Sequence, residues 1–165
     1  IESKVVQALP KPLIIAGHSL GALAAMKTAQ VSPVQGVMLF APMRRFDQAS
    51  LAVSQVFAPF RSRFVPDAMI ISGAQLTLER AGVSLAQTDM LNDLGKLNVP
   101  ILVYGSSADT ISNLDEKQRW HKAGVTRIDV PEENHLSVVG IDDTEHQAIT
   151  QWLSAYFNSD KVRKK

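Results

Sequence analysis

The stretch of sequence that most restricts the fold runs from residue 12 to residue 29. An apolar segment of strand length, Leu13–Ala16, leads into the motif GHSLG at residues 17–21, and small helix-forming residues follow without a break. A G-x-S-x-G motif between a strand and a helix is typical of a sharp turn that exposes its serine. The motif therefore predicts Ser19 as a nucleophile, and the flanking strand and helix argue against an ordinary loop serine.

The same turn accounts for the residues around the serine. We expect glycine to be required at positions 17 and 21, because a side chain at either position would collide with neighbouring backbone where the chain reverses direction. Since the following helix begins beneath Ser19, the backbone N–H of Leu20 points toward an oxyanion formed on an attacked carbonyl. The motif thus predicts one donor of an oxyanion hole.

Length and composition limit the classes of protein to which this chain can belong. A chain of 165 residues, 45% hydrophobic and 20% charged, has the size and composition of one soluble globular domain. Its net charge of +1 gives no reason to expect nucleic acid or an anionic membrane as a partner. Cysteine is absent, which excludes a disulfide framework, and no apolar run is long enough for a transmembrane segment. We expect a soluble, cytoplasmic protein.

Buried strands alternate with helices along the chain. A helix over 20–30 separates the first strand from an apolar second strand, Val37–Ala41, and this order predicts a right-handed crossover in a parallel sheet. A third strand is predicted at Ile101–Tyr104 and a short fourth strand at Arg127–Val130. The predicted fold class is α/β, with a predominantly parallel sheet of about four strands and flanking helices in a single domain, residues 1–165.

Two of the flanking helices have clear start signals. Ser112 and Asp115 have the spacing of a capping box, which predicts a helix over 113–123. Asp142 or Asp143 can cap a last helix, in which apolar residues repeat with helical spacing.

Residues 43–90 interrupt this alternation and contain no all-apolar strand. Two helical stretches are expected in this segment. The first has an apolar face formed by Val53, Val56, Phe57 and Phe60. The second covers Asp67–Ala81. Two interpretations stay open: an inserted helical cap whose apolar residues face a substrate, or helices that pack as core against the sheet.

A serine, an aspartate and a histidine each follow the end of a predicted parallel strand. Ser19 follows the first strand, Asp109 the third and His135 the fourth. Loops at the carboxyl edge of an open α/β sheet share one crevice, so residues far apart in sequence can meet there.

This order of serine, aspartate and histidine, together with the GHSLG motif, resembles the α/β-hydrolase superfamily, in particular its lipase, esterase and lysophospholipase-like members. The segment 98–109 is similar to the strand that leads to the family's triad acid, and 134–135 to its histidine loop. The resemblance spans about residues 5–157, but only the C-terminal half of the family's fold.

The resemblance implies a role for each residue. Ser19 would be the nucleophile, His135 the general base, and Asp109 the acid that orients His135 and stabilises its protonated form. The N–H of Leu20 would donate to the oxyanion. The implied reaction is the cleavage of a carboxylic ester, with an apolar acyl group, through an acyl-enzyme.

Several alternatives remain. Asp47, shortly after the second strand, is the alternative acid, since some members of the family place theirs there. His121 and His146 lie within predicted helices, and His18, beside the nucleophile, is expected to be structural. No set of histidines and carboxylates has zinc-ligand spacing and no phosphate-binding glycine loop is present, so we expect neither a metal nor an organic cofactor.

The resemblance also implies a missing half. We call the GHSLG turn the elbow and the strand that leads into it the elbow strand. The family's fold has further strands before the elbow strand, together with the loop that supplies the second oxyanion donor. We expect this chain to be part of a longer hydrolase or to be completed by another chain, a homo-oligomer included, because the outer edge of its first strand would otherwise be unpaired. A thioesterase or acyltransferase would use the same residues, and a non-catalytic binding or oligomerisation module is the alternative from another class.

Overall fold

The computed structural model describes residues 5, 8–60, 64–112, 124–131, 133–140 and 142–157. Its centre is a parallel sheet with the strand order β1-β2-β3-β4. The strands are β1 (Ile14–His18), β2 (Gly36–Phe40), β3 (Ile101–Gly105) and β4 (Val125–Asp129). The predicted fold class is confirmed, and each observed strand overlaps its prediction with small shifts at the ends.

Five helices are described around this sheet. They are α1 (Leu20–Val31), α2 (Phe46–Phe57), α3 (Asp67–Arg80), α4 (Met90–Leu94) and α5 (Asp143–Phe157). Short 3₁₀ turns occur at Leu85–Thr88 and Ser137–Val139. The helix predicted over 113–123 lies outside the described residues.

Strand β3 forms the centre of the core, since all five of its residues are buried. Alternate side chains of a strand point to opposite faces of the sheet. Ile101 and Val103 accordingly join one apolar cluster, with residues of α1 and α4, whereas Leu102 and Tyr104 join a second one with α5. Burial on both faces explains why this strand has no charged residue.

Strand β1 lies at the edge of the described sheet and pairs with β2. Ile14 and Ile15 are only partly buried, and Ala16 is exposed. The elbow strand is therefore less covered than β3, although its sequence is similarly apolar.

Helices α2 and α3 pack against each other in the segment that links β2 to β3. Helix α2 ends at Phe57, two residues before Pro59, which cannot continue a helix. The side chains of Val56, Phe57 and Phe60 are 47%, 68% and 78% exposed. The interpretation that this apolar face packs as core against the sheet is therefore wrong for these three residues.

A buried carboxylate joins α4 to α1. Asp93 is 1% exposed, and its carboxylate contacts the ammonium groups of Lys27 on α1 and Lys96 just after α4. Burial by itself would raise the pKa of Asp93, but the hydrogen bonds from Lys27 and Lys96 hold it below its usual value. This carboxylate stays charged and links the two helices.

We expect Asp93→Asn to lower the free energy of unfolding by about 1–3 kcal/mol at neutral pH, because the amide loses the charge-assisted hydrogen bonds. The pKa of Asp93 is lower in the folded state, so its contribution is fully present above the ordinary value of 3.8 and is lost as the pH falls through the folded value. The difference should therefore vanish in strongly acidic solution. Urea unfolding at neutral pH and in strongly acidic solution measures the difference in free energy of unfolding, with Glu79→Gln at an exposed position on α3 as control. A difference that is the same at the two pH values would contradict a charged Asp93.

Candidate functional site

Ser19 lies on the tight turn between β1 and α1. Its backbone has φ 56° and ψ −121°, and its N–H donates to the carbonyl of Phe40 at the end of β2. A positive φ is uncommon for a residue with a side chain and marks a strained site. Ala41, the next residue after β2, also has a positive φ, 40°. The chain thus leaves two neighbouring strands through strained residues.

Gly17 is required by the close approach of two backbone segments. A Cβ at this position would lie 2.2 Å from the carbonyl oxygen of Gly21 and 2.8 Å from the nitrogen of Ala22. The expected steric role of Gly21 is wrong for the described residues, because a Cβ there would meet nothing within 4 Å. The missing side chain of Gly17 lets β1 approach the start of α1, whereas a side chain at Gly21 would meet open space.

Gly17→Ala should therefore destabilise the fold by more than about 3 kcal/mol, since the clash involves backbone that cannot rotate away. Gly21→Ala is the matched control, and we expect it to change the free energy of unfolding by about 1 kcal/mol or less, because alanine favours the helix. Thermal unfolding of both variants tests the difference. Equal losses of stability would contradict the asymmetry between the two glycines.

Asp109 follows β3 and is held by its own loop. Its Oδ1 accepts hydrogen bonds from the N–H groups of Ile111 and Ser112 at 2.8 and 3.1 Å, and its Oδ2 accepts one from the Ser112 hydroxyl at 2.7 Å. The side chain is 1% exposed. Burial opposes ionisation, but the hydrogen bonds from His135, Ser112 and the two amides keep the pKa of Asp109 below its usual value.

His135, in the loop after β4, contacts both other residues of the proposed triad. Its Nδ1 lies 2.7 Å from Oδ2 of Asp109, and its Nε2 lies 2.7 Å from Oγ of Ser19. An ionised carboxylate only accepts, so Nδ1 must carry the hydrogen. The neutral ring can then accept the hydrogen of the Ser19 hydroxyl at Nε2.

His18 supports the loop that carries His135. Its Nε2 lies 2.8 Å from the backbone carbonyl oxygen of His135, and the two imidazole rings have centroids 5.0 Å apart. A carbonyl can only accept, so Nε2 of His18 donates. The sequence suggested a structural His18, but the partner, 117 positions away, has no sequence signal.

Leu20 is the first residue of α1. The first N–H groups of a helix have no acceptor within the helix, so they are available to an anion at its N-terminus. The backbone N–H of Leu20 therefore has the character that an oxyanion donor needs, directly after Ser19.

The structure pairs Asp47 with Arg45 rather than with His135. The carboxylate accepts two hydrogen bonds from the guanidinium of Arg45, at 2.6 and 2.8 Å, which overcome the effect of burial and lower the pKa of Asp47. Asp47 as the alternative acid is therefore wrong for this arrangement. His146 is exposed on α5, whereas His121 lies outside the described residues.

A cavity of about 260 Å³ lies between α2 and the loop after β3. Its lining is mixed, with the polar residues Arg44, Gln48, Gln55, Thr110 and Ser112 beside four apolar ones. The cavity borders the loop that holds Asp109, while Ser19 and His135 are not among its lining residues.

Within the described ranges, no group of three or more histidine, aspartate or glutamate side chains is arranged to hold a metal ion. In the same ranges, no helix has both the length and the hydrophobicity to cross a bilayer.

Comparisons with known proteins found one matching family model and many solved structures that are similar to this chain. A family model described as serine hydrolase matches residues 2–66, which include the elbow. No curated protein sequence matches the chain significantly. The esterase of Pyrococcus furiosus superposes with a TM-score of 0.66 at 16% identity, over 90% of this chain and 55% of that one.

Two further solved structures are similar. The monoacylglycerol lipase of Paleococcus ferrophilus gives a TM-score of 0.55 at 18% identity, over 93% of this chain and 72% of that one. The α/β hydrolase MGS-MChE2, from a sediment metagenome of the Mar Chica lagoon, gives 0.58 at 14% identity, over 93% and 64%.

These likenesses define the class of fold: the chain has the α/β-hydrolase fold. The family model that matches its elbow is that of serine hydrolases. The chain spans less than two thirds of the length of the Mar Chica enzyme and of the Pyrococcus esterase.

Proposed function

We propose that this chain carries the active site of a serine hydrolase that cleaves carboxylic esters, with Ser19 as nucleophile, His135 as general base and Asp109 as the acid that orients the base. The main support for the proposal is a continuous row of hydrogen-bond contacts through the imidazole of His135. Its Nε2 lies 2.7 Å from Ser19 Oγ, and its Nδ1 lies 2.7 Å from Asp109 Oδ2. Such a row turns a weakly nucleophilic hydroxyl into a reactive one.

The reaction follows from these contacts. Ser19 Oγ attacks the ester carbonyl carbon while its proton passes to Nε2 of His135. When the tetrahedral intermediate collapses, the bond to the alcohol oxygen breaks and the alcohol leaves with that proton. Water, deprotonated by His135, then attacks the acyl-enzyme and releases the carboxylic acid and free Ser19. Asp109 remains ionised throughout and stabilises the protonated imidazole.

The oxyanion of each tetrahedral intermediate needs hydrogen-bond donors. The backbone N–H of Leu20, at the start of α1, is the donor that we assign to this chain. The removal of one such donor typically costs about 10²–10³ in rate, so full activity requires a second donor in addition. We propose that it comes from the part of the family's fold that precedes the elbow strand.

An apolar acyl group suits the exposed side chains of the segment 43–90, which we propose to be a cap. Phe57, Phe60 and Phe64 are all more than half exposed in this region, and Leu136 is exposed next to His135. Exposed apolar side chains in this region are suited to contact an apolar ligand. The similar Paleococcus protein is a monoacylglycerol lipase, which is in line with a lipid-like ester.

The proposal predicts that a fluorophosphonate probe forms a covalent adduct on Ser19, because only an activated serine attacks phosphorus at a useful rate. Mass spectrometry of the labelled peptide locates the adduct. Ser19→Ala should abolish labelling and ester hydrolysis, whereas Ser50→Ala, a hydroxyl on α2 that bonds the carbonyl of Phe46, should change neither.

The decisive opposite outcome is the absence of an adduct from a folded sample. Circular dichroism and thermal unfolding establish that the sample is folded. That result would refute hydrolysis by Ser19 in this chain and favour a non-catalytic binding module.

The substrate class has its own test. We expect kcat/KM to rise from acetate to medium-chain p-nitrophenyl esters by at least about tenfold, since each buried methylene contributes to binding of the transition state. Phe57→Ser should reduce this preference and leave acetate hydrolysis unchanged. If acetate esters are cleaved much faster than longer ones, the apolar-acyl part of the proposal fails and the serine mechanism stands.

A further inference from the structure

Ser112 makes a contact that the proposed triad does not require. Its side-chain hydroxyl donates to Oδ2 of Asp109 at 2.7 Å, and that oxygen also faces Nδ1 of His135 at 2.7 Å. Ser112 is 2% exposed, so bulk water does not compete for this hydrogen bond. One carboxylate oxygen is thus shared between the hydroxyl and the imidazole.

The two oxygens of Asp109 have different surroundings. Oδ1 is held by the backbone N–H groups of Ile111 and Ser112, which any side chain at position 112 would leave in place. Oδ2 has the Ser112 hydroxyl as its partner besides His135. A donor on this oxygen withdraws negative charge from it, so less charge remains to stabilise a protonated imidazole.

We propose that Ser112 is a positioning residue: its hydroxyl fixes Oδ2 of Asp109 and limits how strongly this carboxylate stabilises protonated His135. The inference rests on the proposed function for its catalytic meaning, since His135 is the base there. A base that holds its proton too strongly is already protonated at neutral pH and cannot accept the proton of Ser19. The hydroxyl of Ser112 therefore keeps the carboxylate of Asp109 from holding that proton too strongly.

The titratable side chains that the described structure records against His135 are Asp109, from the loop after β3, and His18, from the end of β1. Arg44 lines the cavity that also borders Ser112. These groups are unchanged in variants of position 112, so a change of titration in such variants reports the hydroxyl.

Valine and threonine at position 112 give a matched comparison, because they have nearly the same shape and differ in the hydroxyl group. We expect the midpoint of the His135 imidazole titration, followed by NMR, to lie about half a pH unit higher in Ser112→Val than in Ser112→Thr, which should resemble the unmodified protein. Ser106→Ala is the control, because Ser106 is buried in the same loop and its Oγ accepts from the N–H of Ala108.

The acidic limb of the kcat/KM profile for an ester should move in the same direction, with little change at higher pH. Equal midpoints for the valine and threonine variants would overturn the inference. If the valine and threonine variants do not fold, Ser112→Ala is compared with the unmodified protein instead. The His135 midpoint should again be higher in the variant without the hydroxyl, and equal midpoints would again overturn the inference.

The two proposals fail separately in this design. Without a fluorophosphonate adduct on Ser19, the proposed function is wrong, yet the NMR titration still decides whether Ser112 acts on His135 through Asp109. An adduct with unchanged midpoints would leave the hydrolase proposal intact and reject the role of Ser112.

Discussion

The close contact between Gly17 and the backbone of Gly21 is the constraint on which the site depends. A side chain at position 17 would occupy the space of a main-chain carbonyl, so strand β1 and helix α1 can approach each other only because that side chain is missing. This approach forces Ser19 into a positive φ and places the first amides of α1 directly behind it. The geometry of Ser19 thus depends on one missing Cβ.

The second requirement is that a charged carboxylate stays buried beside an imidazole. Burial of Asp109 disfavours its ionised form, and the loop after β3 offsets that cost with two amides and one hydroxyl. The same loop borders the cavity under α2. Asp109 is therefore held by residues that are local in sequence, whereas His135 reaches it from a loop 26 positions later.

Much of the fold could be predicted because its signals are local. Strand β3 is an unbroken apolar run, and helix α2 ends two residues before a proline. The apolar face of α2 was ambiguous for the opposite reason: helical spacing shows that residues share a face, but not what covers that face. In the structure Phe57 and Phe60 face solvent, which only the packing of α2 against α3 could decide.

By itself, the sequence determined the turn at Ser19, the positions of the strands along the chain and the loops that carry Ser19, Asp109 and His135, because glycine spacing and hydrophobic periodicity are local signals. Only the tertiary structure decided that Asp109 rather than Asp47 faces His135, that His18 bonds the backbone of His135, and that Gly21 is sterically free. Those facts depend on distances between segments that are far apart in the chain. The folded sheet brings such segments together at one edge, and no local pattern records the distances that result.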